Sequence, residues 1–187
     1  MMTNETLSLI SARRSHRAYK DTQLTEEQLS AILQAAVEAP SAVNRQPWHF
    51  SVVQNRKVLD EVNHELRVVT MKKAENERSP RFADDSFDVF YHAPTVIFIS
   101  APEDSYWAPI DCGIAVENIA LAAESLGLGS VILGLPRAAF EGDRADELKK
   151  MLQFPEGHRF IIAISLGIPT DDKSAHPVQE NKISYIK

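Results

Sequence analysis

Apolar residues recur along this chain with two periods. At Leu29, Ile32, Leu33, Ala36 and Val37 they fall at helical spacing, and Thr25-Glu26-Glu27-Gln28 just ahead is a capping box, so an amphipathic helix starts there and must stop near Pro40. Residues 5–14 predict a shorter amphipathic helix, and Arg56–Glu77 a long charged one. Thr95–Ser100 and Phe160–Leu166 are unbroken runs of β-formers, the pattern of strands covered on both faces. His49–Val53 reads as a shorter strand, and Gly127–Gly134 as a turn leading into another. Pro136–Phe140 and Asp143–Leu152 predict short helices. Trp107–Leu126 is apolar almost all round, with Asp111, Asn118 and Ser125 forming a thin polar seam. A helix of that length runs about 30 Å, and one small protomer can hardly enclose it. Part of it is therefore expected to pack against a second subunit.

Two stretches break the pattern. Residues 72–88 are polar and irregular, either a surface connection or a mobile lid. After Gly167-Ile168-Pro169, a polar linker over 170–182 leads to Ile183-Ser184-Tyr185-Ile186, which alternates like an edge strand and needs a sheet to join. Residues 170–187 thus read as a C-terminal arm on a single domain spanning 1–187. No internal repeat or low-complexity tract interrupts it.

Composition narrows the function classes. A net charge of -6 argues against non-specific nucleic-acid binding, so any basic cluster is a local site. Cys112 is the single cysteine, which excludes an intrachain disulfide and fits a reducing cytoplasm. It lies in the apolar helix, where a buried thiol is the simpler role. No apolar run is long enough to span a bilayer, and the first residues lack a signal-peptide pattern, so a soluble cytoplasmic protein is expected. The six histidines show no metal-ligand spacing, and no Walker loop, nucleophile elbow or complete dinucleotide fingerprint is present. No metal site is expected.

Two polar constellations remain. Arg13-Arg14-Ser15-His16-Arg17 offers three guanidiniums and a hydroxyl, the chemistry of a phosphate seat, although a solvated basic face has the same composition. Ser41, Asn44 and Gln46, pinned between Pro40 and Pro47, could rim a flat heterocycle or merely satisfy their own turn. Trp48 beside them reads more simply as a core anchor.

Taken in order, Arg13-Arg14-Ser15-x-Arg17, Ala36-x-x-Ala39-Pro40-Ser41-Ala42-x-Asn44-x-Gln46-Pro47-Trp48, Tyr91-His92-Ala93-Pro94, Gly113-x-Ala115-x-x-Asn118-x-x-Leu121-Ala122-Ala123 and Leu126-Gly127-Leu128-Gly129-Ser130 resemble the flavin-dependent nitroreductase family over nearly the whole chain. The resemblance implies an α+β fold with a central mixed β-sheet covered by helices. It also implies an intertwined homodimer with C-terminal strand exchange and FMN at the subunit interface. Arg13, Ser15 and Arg17, with Arg14 alongside, would hold the FMN phosphate and ribityl end. Pro40, Ser41, Ala42 and Asn44 would reach the flavin ring from the other protomer. The turn at Ile132, Leu133 and Gly134 would bring a backbone N–H near the flavin. Two departures stand out. Where relatives often finish the phosphate seat with a basic pair, this chain has Lys173 and His176. Leu133 and Ala42 stand where some relatives carry an acidic residue and a second serine.

The activity implied is a two-step transfer of electrons from NADH or NADPH, through FMN, to an acceptor such as a nitroaromatic or quinone. The flavin would carry the chemistry, with no side chain as catalytic acid or base. Phe82, Phe87, Phe90 and Tyr91 are the candidate aromatic residues of the acceptor pocket. Flavin storage or redox sensing with little turnover, or another reduction or dehydrogenation on the same scaffold, are the alternatives.

Overall fold

The computed structural model describes residues 3–177 and 179–187. Strands β1 (His49–Val53), β2 (Thr95–Pro102), β3 (Gly129–Leu133) and β4 (His158–Gly167) form one sheet in the order β1-β2-β4-β3. Every neighbouring pair is antiparallel, which corrects the expected mixed sheet. Connectivity gives the reason. β2 and β3 are joined by one long helix, α4 (Ala108–Ser125), and do point the same way as a helical crossover dictates, but β4 lies between them. Among the described residues a parallel contact enters only as an isolated bridge between Ser15 and Ser130.

The unbroken apolar runs are explained by two cores, one on each sheet face. Along β2, Val96 and Phe98 enter one core with Leu59, Val62 and Leu66 of α3 (Arg56–Met71), while Ile97 and Ile99 enter the other with α4 and α2 (Glu26–Val37). Residues on opposite parities of a strand face opposite ways, so both parities must be apolar here. The predicted capping box closes as read: the Thr25 hydroxyl accepts from the Gln28 N–H, and the Gln28 side chain accepts from the Thr25 N–H. Helices α1 (Glu5–Ala12) and α5 (Ala145–Met151) complete the helical set.

Several features differ from expectation. α3 ends at Met71, because the Arg78 guanidinium folds back to donate to the Met71 and Lys73 carbonyls, both at 2.9 Å, and so satisfies the helix end. The 72–88 segment beyond holds two short 3-10 turns, at Glu75–Glu77 and Pro80–Ala83. It is fastened by buried Phe82 and by Arg67, which donates to the Phe82 and Asp84 carbonyls and pairs with Asp85. Finally, Ile183–Ile186 pairs with no strand among the described residues, and Ile186 is 99% exposed. No helix among the described residues is long and apolar enough to cross a membrane.

Candidate functional site

The arginine segment lies across one end of the sheet because two facing glycines leave room for it. Gly129 at the start of β3 is paired with Gly167 at the end of β4. A Cβ on Gly129 would meet Pro169 Cβ at 2.9 Å and His16 Cβ at 3.0 Å, and one on Gly167 would meet Pro94 Cδ at 2.8 Å and Tyr19 Cδ1 at 3.0 Å. Over this platform the His16 N–H donates to the Ser130 carbonyl, Lys20 N–H to Ile168, and Thr170 N–H to Ala18. The N-terminal segment and the start of the C-terminal arm are thus laced to the same sheet end. Tyr19 adds to this lacing: its hydroxyl donates to the His16 carbonyl at 2.7 Å, and burial, reinforced by Asp171, pushes the phenol far up.

The three arginines take different tasks. Arg14 Nη1 donates to the Ser11 and Arg13 carbonyls at 2.7 and 2.9 Å, so this side chain caps the C-terminal end of α1, where a cation is favoured. Arg13 Nε lies 3.8 Å from Glu117 of α4. Arg17 is exposed, gives Nη1 to the Ser15 carbonyl at 3.2 Å, and sits 5.8 Å over the Tyr91 ring. Tyr91 is itself held through its hydroxyl by Arg81 at 2.8 Å.

One residue beside them was not foreseen. Asp171 accepts from the Arg17 N–H through Oδ2 at 2.9 Å and pairs through Oδ1 with His16 Nδ1 at 2.7 Å, while Lys173 Nζ lies 3.2 Å from Oδ2. Burial alone would raise its carboxyl, but hydrogen bonds from Arg17, His16 and Lys173 outweigh it and hold the group below the usual carboxylate range. Lys173 is thereby drawn to the arginine segment. His176 is exposed and makes no hydrogen bond or ion pair among the described residues.

The proline-bounded loop is seated on the far end of α4. The Ala42 N–H donates to buried Asp111 at 3.0 Å, the Ser41 hydroxyl accepts from the Gln46 N–H at 2.9 Å, and Asn44 Oδ1 accepts from Gln46 Nε2 at 2.9 Å. Ser41 and Asn44 therefore do satisfy their own turn in part. The backbone is left-handed at Val43, Asn44 and Gln46, with φ of 47°, 56° and 47°. For a β-branched valine this is costly, and strain of that kind gathers at functional loops. Pro40 and Asn44 are exposed and Ala42 half-buried. Within this chain the loop does not hydrogen-bond to the arginine segment among the described residues. The two meet α4 at Asp111 and Glu117, about 9 Å apart along its axis.

β3 is an edge strand, so one side of its backbone has no sheet partner, and the Ser15–Ser130 bridge covers only its start. Beyond the bridge Ile132 turns its side chain toward the α4 core and Leu133 toward the α3 core, and Gly134 is exposed where the chain turns. Beyond that bridge no strand pairs with this edge among the described residues. Phe82 and Phe90 do not line it. Both are buried in the α3-side core, where Phe90 meets Phe98 at 5.5 Å, because that face needs large side chains to fill it. Cys112 is buried as read, and burial, with Asp111 adding, pushes its thiol up to about 12, so it is no thiolate nucleophile. No group of three or more histidine, cysteine, aspartate or glutamate side chains suited to a metal occurs among the described residues.

Residues 10–168 match the Nitroreductase family. The chain belongs to that family. Among its relatives is a protein of Archaeoglobus fulgidus whose name includes NADH dehydrogenase/NAD(P)H nitroreductase, 36% identical over 94% of this chain and 92% of the relative. A nitroreductase from Desulfitobacterium hafniense, solved with bound FMN, is 37% identical and superimposes with a TM-score of 0.94 over 100% of both chains. A second FMN-bound nitroreductase, from Bacteroides fragilis, is 32% identical with a TM-score of 0.92 over 99% of this chain and 100% of the other. The family match includes the arginine segment, the proline-bounded loop and the β3 edge, but it ends before Asp171 and Lys173. The nitroreductase fold is therefore shown for this chain.

Proposed function

We propose that this nitroreductase-family chain is an FMN-dependent oxidoreductase that takes electrons from NADH or NADPH and passes them to a nitroaromatic or quinone acceptor in two successive half-reactions. The observation that carries the reading is the arginine segment held at the open edge of β3. Arg17 gives one of its donors to Ser15, and Arg13 only grazes Glu117, so most of both guanidinium forks can turn to an anion. With Lys173 beside them, these residues fit a phosphate monoester, and the outward side of the β3 backbone at Ile132, on the same side as the Ser130 carbonyl that accepts from His16, fits a flat ring rimmed with acceptors. Bound flavin would supply the hydride-accepting and electron-donating chemistry. Arg13, Ser15, Arg17 and Lys173 would anchor its phosphate, and the β3 edge would orient its ring. Pro40, Ser41, Ala42 and Asn44 of a second copy would cover the ring.

That second copy is supported by α4, which exposes Ile110 and Ile114, at helical spacing from exposed Trp107 just before it, and by α1, which packs on α4 and exposes Leu7 and Ile10. Ile183, Tyr185 and Ile186 of the arm are also exposed among the described residues. An intertwined homodimer accommodates both. Steady-state kinetics with NADH or NADPH and a quinone tests the two half-reactions. Parallel double-reciprocal lines are expected. Intersecting lines that require donor and acceptor together would refute the sequential use of one pocket.

A further inference from the structure

Asp171 lies beyond the part of the chain that matches the family, yet its carboxylate joins the C-terminal arm to the arginine segment. We infer that Asp171 is a positioning residue for phosphate recognition, which fixes the backbone of Arg17 and the ring of His16 so that Arg17 and Lys173 converge on one anion. The inference rests on the FMN reading above and deepens it.

Its two oxygens hold consecutive residues. Oδ1 takes the His16 ring at 2.7 Å and Oδ2 takes the Arg17 N–H at 2.9 Å, so both the side chain of one residue and the backbone of the next are set. The ring direction is fixed a second time from below, because His16 rests on Gly129, where no Cβ intervenes. Arg17 then has its N–H on Asp171, one guanidinium nitrogen on Ser15, and its plane over Tyr91, which leaves little freedom beyond the outward face. Lys173, two residues along the arm, is brought to the same carboxylate at 3.2 Å.

A carboxylate amid cations that are to bind a phosphate carries an opposing effect, since it repels the ligand. Here that repulsion is offset where it arises. The Asp171 charge is answered by the Lys173 ammonium, the His16 ring and the Arg17 N–H, and its side chain is 17% exposed, so its field is spent on those partners. Pre-organisation of the arginine fork is the larger effect, because a guanidinium that must be ordered at each binding event loses affinity.

The test is fluorescence titration of the full-length apoprotein with FMN and, separately, with riboflavin, which lacks the phosphate. Asp171→Ala is expected to weaken FMN roughly tenfold or more while leaving riboflavin affinity unchanged, and Asp171→Asn, which keeps one acceptor for the Arg17 N–H, should recover part of the loss. Should the alanine variant fail to fold, the isosteric asparagine variant carries the comparison. Unchanged or tighter FMN binding overturns the positioning role, and so does an equal loss for both flavins, which marks a general structural effect. A wild-type chain that takes up neither flavin overturns the proposed function, and this inference with it.

Discussion

Arg17 is constrained at its N–H by Asp171, at its guanidinium by Ser15, and across its plane by Tyr91, yet it remains exposed. An arginine fixed in that way and left facing solvent contributes little to folding. Its replacement by alanine is expected to change unfolding free energy by less than about 0.5 kcal/mol in urea titration. FMN affinity should instead fall roughly ten- to hundredfold, the scale of a lost charge-assisted hydrogen bond to a phosphate. A large fall in stability with FMN affinity unchanged would assign Arg17 to the fold. The arginines were legible because three guanidiniums in five residues are an unusual composition. Their separate tasks were not. That Arg14 caps α1 depends on where the helix ends, and α1 stops at Ala12, short of the expected boundary. Asp171 was hidden because an Asp-Asp pair after a strand reads as an ordinary turn, and its partners lie more than 150 positions away, with |i−j| of 155 and 154. Phe82 and Phe90 were expected in the acceptor pocket, but packing draws both rings into the α3-side core.

At the level of elements, the site depends on the meeting of β3 and β4. Gly129 and Gly167 face each other there, and each would drive a Cβ into the segments laid across them. Gly129→Ala should push His16 and Pro169 outward, destabilise the chain by roughly 1–3 kcal/mol, and lower FMN affinity. A fully stable variant with wild-type FMN affinity would show that the platform is not needed. Strands β1 to β4, α2 and α4 were readable with little error, since a buried strand needs apolar residues at both parities and the capping box marks its own helix start, whereas Ile183–Ile186, read as an edge strand, pairs with none among the described residues. The end of α3 was not readable, because residues 72–77 keep good helix formers and only the returning Arg78 side chain terminates the helix. The strand order was equally hidden: β4 comes last in sequence but lies between β2 and β3, and hydropathy carries no information on that choice.

For the whole molecule, α4 joins the core, the proline-bounded loop and the arginine segment. Its inner face fills one core, Asp111 anchors the proline-bounded loop, Glu117 approaches Arg13, and its outer face leaves Ile110 55% and Ile114 37% exposed. In the proposed dimer that outer face is buried and the loop of each copy covers the flavin of the other. Ile110→Glu should therefore shift the protein from dimer to monomer in sedimentation velocity and release FMN at the same time. A monomeric wild type, or a monomeric variant that keeps FMN, would separate assembly from the site. The most direct measurement is the visible absorption spectrum of the purified, folded protein equilibrated with FMN and freed of excess cofactor, recorded anaerobically before and after NADH or NADPH. Retained flavin bands that bleach on addition of the donor are predicted. A folded protein that stays colourless after saturating FMN would contradict the phosphate seat and the activity built on it.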